Sequence, residues 1–515
     1  MARSQKVFKA TMLVTVVVIL SKLSGFIRDM TLAAYFGTGI ENDAYVSAYS
    51  LFYLPVLLFT SCISATLIPL YVQEREQQGL DRSNHFASNT INLFALAALV
   101  ISALFYALAR PLVRIIYVGF DAEKAALTVK LVRIMLLSLV FNITSVSVAS
   151  LLNATEKYVA AQLTGFPLNF SVIAAAVFFS RRYGIAAVGW GVFAANILQL
   201  LILVPFLRGW FTYTPVIDFG DKRFHRLVQL AGPALLAMGI SELNHMIDHA
   251  LASGLNPGDI SAMSYAYRLV QFVQGVLLLP LTTIMFSKLS KLAASRDTDG
   301  MLDVLRRSVL VIALVILPIV AIAVVLSTDV IKFAYMRGAF GMDSVRVTAG
   351  VLVFYIIGVL AFGLRDFMNR MFHAMQDTRT PFRVSCLVVA TNIVLNLILR
   401  IFMGANGLAL ATSIAGYTGT VVLLFQLRKR FGLLGLRAML PDFLKIAVST
   451  LAAAAVCLAM HRALPEVFGT GRVFLRLAAC SGVSLAVYFV CCLALRVGTL
   501  RTFAADVLRR GRGVK

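Results

Sequence analysis

Charged side chains lie in stretches otherwise apolar enough to sit in lipid, among them Lys22, Arg28, Asp29, Arg268, Arg365, Asp366 and Arg370. A charge near mid-bilayer costs ~2.5–3.5 kcal/mol on insertion scales and persists where it lines a wet cavity or finds a partner. Several cations in one cavity call for an anionic substrate. Arginine in particular presents a planar fork that matches phosphate oxygens. A plainer reading stands beside this one. Arg28 and Asp29, although adjacent side chains on a helix point about 100° apart, could form a structural ion pair, and Arg370 could snorkel to an interface.

A second constellation is made of oxygen and nitrogen rather than charge. Glu242, Asn244, His245, Asp248 and His249 fall in one apolar stretch, while Asn392 and Asn396 are one helical turn apart in another. A carboxylate, two amide oxygens and a hydroxyl such as Thr412 would suit a hard cation, so Asp248, Asn392, Asn396 and Thr412 are the candidate Na⁺ site. A protonated Asp248 bonded to asparagine has the same appearance in sequence. Interhelical hydrogen bonding in a bundle is the alternative. The histidines have no Cys or Glu at zinc spacing, which argues against a metalloenzyme.

These residues need a membrane to hold them. Of the 515 residues 60% are hydrophobic and only 14% charged, with a mean hydropathy of +0.86. Soluble domains carry about 25% charged residues, so a soluble enzyme, a disordered chain and a nucleic-acid-binding domain are excluded despite the net charge of +23. Spans of ~20 apolar residues are predicted at 8–36, 44–72, 87–109, 127–152, 158–180, 185–207, 226–252, 261–287, 308–327, 346–375, 383–402, 406–427, 442–461 and 473–495, which makes about fourteen. The ~10-residue alternation of a β-barrel is absent. The first apolar run continues from Thr11 through Gly25 and Phe26 to Phe36, so it reads as a span and not as a cleavable signal. Six scattered cysteines, with no CxxC, read as packing residues.

Lys and Arg favour one set of loops, with roughly 24 against roughly 8 on the other face. Both termini are therefore expected in the cytoplasm. Ala48-Tyr49-Ser50-Leu51 is echoed by Ala266-Tyr267-Arg268-Leu269, Asn153-Ala154 by His373-Ala374, and Gly189 by Gly407, all at a spacing near 218. A six-span offset keeps orientation and predicts parallel repeats with a transport site between them. The expected organisation is an all-α polytopic membrane protein. Two six-helix lobes, 1–208 and 209–430, are followed by two further helices and a basic tail, 431–515.

Ser21-Lys22-Leu23-Ser24-Gly25-Phe26-Ile27-Arg28-Asp29, then Phe36-Gly37 and Asn42-Asp43-Ala44-Tyr45, resembles the opening of the MurJ (MviN) family, lipid II flippases of the MOP superfamily. Ser264-Tyr265-Ala266-Tyr267-Arg268-Leu269 with Gly275-Val276 resembles the family's span-eight motif, and Gln376-Asp377-Thr378-Arg379-Thr380-Pro381 its span-ten exit. The resemblance implies two lobes forming a V around a cationic cavity and a lipid-accessible groove at the last two spans. It implies a lipid II substrate, an undecaprenyl-pyrophosphate-linked muropeptide moved to the outer leaflet for peptidoglycan synthesis and so for the cell wall and cell shape. Family cavity residues map onto Arg28, Asp29, Asp43 and Arg268. Lys22 stands where many members have Arg. A span-two Arg of many members is missing at Leu54-Pro55-Val56-Leu57, and Arg365 is the candidate to compensate.

The expected function is thus a lipid II flippase of the bacterial cell membrane working by alternating access, without chemistry and without nucleic acid. Its partners are lipid II and membrane lipids, and it is expected to be a monomer. No cofactor is expected beyond Na⁺ or H⁺ as a coupling ion, since no Walker motif for ATP is present. The alternative is a related MOP-superfamily exporter of another polyprenyl-linked oligosaccharide or of drugs. A cationic-drug exporter should line its cavity with acids, against which Arg28 and Arg268 argue.

Overall fold

The computed structural model describes residues 2–464, 469–498 and 500. The side chain of Glu242 and the basic tail from 501 onward lie outside the described set. Among the described residues there is no strand. The helices are α1 (Ala2–Phe36), α2 (Ile40–Ile116), α3 (Ala122–Leu136), α4 (Leu139–Ala154), α5 (Tyr158–Gln162), α6 (Gly165–Ala174), α7 (Ser180–Tyr183), α8 (Ala186–Leu203), α9 (Lys222–Ala252), α10 (Asp259–Val273), α11 (Leu279–Ala294), α12 (Thr298–Val325), α13 (Ser327–Tyr335), α14 (Met342–Ile357), α15 (Val359–Ala374), α16 (Arg379–Phe431), α17 (Leu436–Ala463) and α18 (Thr470–Ala494).

Helix α2 has 77 residues and α16 has 53. Straight, they would run about 115 and 80 Å at 1.5 Å per residue, far past a ~30 Å hydrocarbon core. Neither is straight. Gly79 (φ 84°) breaks α2 and Gly404 (φ 55°) breaks α16, both in the left-handed half of backbone space that glycine enters without strain. The Phe59 and Phe94 rings, on opposite sides of Gly79, lie 5.9 Å apart. Asp377, just before α16, lies 3.4 Å from Arg430 near its end. Each long helix is therefore a hairpin of two arms. Counted with the hairpins undivided, nine helix runs among the described residues are long and apolar enough to cross a membrane, or ten with α3 and α4, which bend by 46°. Phe178, Phe402 and Leu451 are 75%, 79% and 69% exposed, as side chains solvated by lipid must be.

The chain divides into two compact units. One comprises Met1–Ser261 with Arg337–Phe340, the other Ala262–Met336 with Gly341–Lys515. In the first, α2 is the centre, packed by α3, α4 and α9, while α8 lies on α4 and α6, and α1 on α6. The short segment 337–340 is fastened to the end of α1, where Ala339 N–H donates to the Ala34 carbonyl at 2.8 Å. Any side chain at Gly37 or Gly338 would collide with backbone at this junction.

In the second unit α12 packs on α17, α11 and α15, α16 on α14 and α15, and α17 on α18. Two devices fasten the α17–α18 pair. The Tyr488 hydroxyl donates to the Leu314 carbonyl at 2.8 Å. Asp329, 1% exposed, faces Arg476 at 3.5 Å and His461 at 3.4 Å, and the Arg476 guanidinium donates to the His461 carbonyl at 2.8 Å.

One bond occurs twice. The buried Tyr117 hydroxyl donates to the Ser47 carbonyl at 3.1 Å, and the buried Tyr335 hydroxyl donates to the Tyr265 carbonyl at 3.3 Å. Residue 335 follows 117 by 218 positions, as 265 follows 47. Further along, the spacing is 220. Helix α3 begins at 122 and α14 at 342, and α4 runs from 139 to 154 where α15 runs from 359 to 374. Both second helices end on a non-glycine residue at positive φ, Glu156 (61°) and Gln376 (60°). In each the following N–H reaches back to the last turn, Lys157 to Leu152 and Asp377 to Phe372, a left-handed helix stop. Gly184 (56°) and Gly404 (55°) repeat a turn at the same spacing.

Candidate functional site

In the first unit the candidate residues sit on α1 and at the start of α2. Helix α1 is fixed to α6 by Asn169, whose amide donates to the Ser21 carbonyl at 3.1 Å and to the Ser24 hydroxyl at 2.8 Å. Against that anchor Arg28 and Asp29 form an ion pair. The guanidinium Nε and Nη2 reach the same carboxylate oxygen at 3.1 and 2.9 Å. The two Cα–Cβ bonds diverge, but the arginine stem is long enough to curl back over its neighbour. Asp29 is buried and Arg28 half-buried, whereas Lys22 is exposed.

Asp43 occupies a different kind of place. It is fully buried, and its carboxylate takes Lys124 Nζ at 2.7 Å, Gly258 N–H at 2.7 Å and Ser261 N–H at 2.8 Å. The last two are free N–H groups at the start of α10, where a helix dipole favours a negative charge. Asp43 thus closes the first turn of α10 from a distance of 215 residues in sequence. Asn42 beside it donates to the Gly37 carbonyl at 2.7 Å and closes the α1–α2 turn. Lys124 carries no sequence signal beyond being a cation near the start of an apolar stretch.

The first unit also encloses a cavity of about 330 Å³ between α2, α4, α6 and α8. Its polar lining carries no charge, and includes Tyr49, Asn142, Asn153, Asn196 and Gln199. Asn142 donates to Asn196 at 2.9 Å, Asn196 to the Ser138 hydroxyl at 2.7 Å, and Gln199 to the Thr164 carbonyl at 3.0 Å. Spacing did not reveal this site, because it is assembled from single amides on separate helices. Asp248, 2% exposed, is on α9 of the same unit, and neighbouring His249 meets the Ser50 hydroxyl at 3.1 Å.

The second unit holds the remaining candidates. Arg268 lies half-buried on α10, its Nε 3.5 Å from the Ser264 hydroxyl one turn earlier. Arg365 on α15 stands over the Phe362 ring at 5.8 Å, a cation–π contact. Arg370 pairs with Asp366 at 3.0 Å, one turn apart. Asn392, Asn396 and Thr412 are brought together. The Asn396 amide donates to the Asn392 carbonyl oxygen at 2.9 Å, and the Asn392 amide to the Thr412 hydroxyl at 3.2 Å. All three are buried.

Outside the spans, Asp377 binds the Thr380 N–H at 3.0 Å and the Thr380 hydroxyl at 2.8 Å. Burial alone would raise its pKa. The two Thr380 bonds and the Arg430 guanidinium more than offset this and hold it below the usual carboxylate range.

Residues 32–479 match the family described as Lipid II flippase MurJ. Among curated relatives, the lipid II flippase MurJ of Thermosipho africanus is 28% identical over 446 residues, covering 86% of this chain and 88% of that one. A protein of Rhizobium meliloti named "Probable lipid II flippase MurJ" is 30% identical over 418 residues, covering 78% and 77%. A solved structure of a lipid II flippase MurJ in an inward closed conformation superposes with a TM-score of 0.78 at 26% identity, covering 96% of this chain and all of that one. A multidrug-resistance MATE transporter of the MOP superfamily, inward-facing, gives 0.69 at 11% identity over 82% of this chain and 98% of that one. That second likeness concerns the fold alone.

Proposed function

The chain belongs to the lipid II flippase MurJ family, and on that premise we propose that it moves lipid II from the cytoplasmic to the outer leaflet of the bacterial cell membrane by alternating access. The observation that carries this reading is the family match from 32 to 479, nearly the whole chain. It favours a flippase over a drug exporter, as do the arginines on α1 and α10 where a carrier of cationic drugs would need acids. The protein is a multi-pass membrane transporter and performs no covalent step.

Taking each α2 and α16 arm as one pass, and adding α1, α9 and the bent α3–α4 pair to the helix runs above, supports the count of fourteen expected from the sequence. An even number puts both termini on one side, and the Lys and Arg bias makes that side the cytoplasm. Arg28 and Arg268 bind the pyrophosphate, with Lys22 and Arg365 adding charge. Asp29 holds Arg28 in position at 2.9 Å between cycles. Asp43 acts through the fold, by fixing the first turn of α10, the helix that carries Arg268. One copy of the chain suffices.

The coupling ion is Na⁺ or H⁺. Asp248 supplies the negative charge, and Asn392, Asn396 and Thr412 supply oxygen atoms. An ion that binds one conformation better shifts the equilibrium by that difference. A gradient of 100 mV adds ~2.3 kcal/mol per charge moved. The test is lipid II accessibility at the outer surface in cells depleted of this protein and complemented with it. Depletion is expected to trap lipid II inside, and unchanged exposure at the outer leaflet would refute the reading.

A further inference from the structure

A second cavity of the first unit, about 410 Å³, opens between α2, α3 and α8 and is lined by Lys130, Arg133, Tyr106, Trp190, Leu137 and their neighbours. None of these residues has a part in the transport reading above. Lys130 and Arg133 are one turn apart on one face of α3. Arg133 is fixed in place: its Nε donates to the Tyr106 carbonyl at 3.3 Å and its guanidinium carbon lies 5.0 Å over the Tyr106 ring. Among the described residues neither cation has a carboxylate partner. Glu123, the acid on the same helix face, is two turns away, about 10 Å along the axis.

Two features separate this groove from ordinary snorkelling. A snorkelling arginine extends toward water, whereas Arg133 is turned back onto Tyr106, bonded to its carbonyl and over its ring. The groove is also amphipathic along its length. Lys130 and Arg133 lie about 5 and 9 Å in from the start of the predicted span 127–152. Leu137 and Trp190, 48% and 49% exposed, complete the apolar wall. Indole and phenol rings favour the headgroup level of a bilayer. Positive charge at that level, above an apolar wall, matches a phosphodiester joined to acyl chains.

We infer that this groove is a binding site for an anionic glycerophospholipid, with the phosphate between Lys130 and Arg133 and an acyl chain along Leu137 and Trp190. Charge complementarity selects the anionic lipid over the zwitterionic one, because a headgroup ammonium would be repelled by the two cations.

The experiment uses the full-length protein in neutral detergent. Phosphatidylglycerol, phosphatidylcholine and inorganic phosphate are titrated separately, with bound lipid read by native mass spectrometry and the unfolding midpoint read in parallel. The wild type is expected to retain and be stabilised by phosphatidylglycerol in preference to phosphatidylcholine. Lys130→Gln/Arg133→Gln should weaken that binding about 25-fold, fivefold for each charge removed. Arg346→Gln, which removes a 75% exposed charge elsewhere, should leave the binding unchanged. Should the double variant fail to fold, Lys130→Gln alone is expected to show the fivefold loss. The same phosphatidylglycerol affinity in wild type and charge variants would overturn the site. So would an equal response to phosphatidylcholine, or a stabilisation by inorganic phosphate alone that matches the lipid's.

Discussion

Asp377 and Arg430 are 53 residues apart in the chain and 3.4 Å apart in space. The contact joins the entrance and exit of the α16 hairpin, and Asp377 also caps the entrance through Thr380. Its folded pKa is held below that of the unfolded chain. Such a group contributes stability that is present above the unfolded carboxylate value, ~3.9, and is lost as pH falls through the folded value. Detergent-solubilised wild type should therefore exceed Asp377→Asn in unfolding midpoint near neutral pH, and the two should converge below about pH 4. Arg430 is nearly half exposed, so its own share is small, under about 1 kcal/mol. A constant gap between the two proteins from pH 7 down to pH 3 would contradict this account.

Arg28→Ala and Arg268→Ala should each abolish complementation of a flippase-depleted strain while membrane levels stay normal. A charge-assisted hydrogen bond is worth about 1.5–3 kcal/mol, or ten- to a hundredfold in binding. Arg28→Lys should fall between, because a point charge replaces a fork. Full activity of both alanine variants would remove the arginines from substrate binding.

Asp43→Ala strands Lys124 in a buried place without its counter-charge and uncaps α10. Loss of one partner from a buried pair costs roughly 3–5 kcal/mol. The double variant Asp43→Ala/Lys124→Met should recover a substantial part of this, since the buried charge is gone. A thermal-unfolding double-mutant cycle measures the coupling, and additive losses would show that the two residues act independently.

Asp248→Asn should abolish a response to sodium. Transport or thermal stability of the wild type, measured across Na⁺ concentrations at fixed ionic strength, is expected to rise with Na⁺ and the variant's to stay flat. A wild type indifferent to Na⁺, or a variant that responds equally, would assign Asp248 to packing or to a proton instead.

The helical architecture is legible in the sequence because each run of ~20 apolar residues has one physical destination. The Asn392–Asn396 bond is legible for a similar reason, as a one-turn spacing fixes which side chains meet. The pair Asp43–Lys124 is not. Its members are separated by 81 residues, and no local spacing specifies which helix will lie opposite a given charge. Arg28–Asp29 falls between the two cases: helical geometry separates the side chains, and only the reach of arginine brings them together. The hairpin in α2 is legible as well, because Gly79 sits in the polar run 73–85 between two predicted spans, whereas the turn at Gly404 is marked only by the short gap 403–405.

The paired tyrosine bonds bear on how a duplicated sequence drifts. Tyr117 and Tyr335 both donate to a main-chain oxygen, which every amino acid supplies. The acceptor position could therefore change, Ser47 in one half and Tyr265 in the other, without any loss of the bond. Selection on such a contact acts on one letter of two, so the halves can lose nearly all textual likeness while their ancestry stays recorded in the donors. A search for ancient duplications in membrane proteins should accordingly compare the residues that reach for the backbone, and ignore those they reach toward.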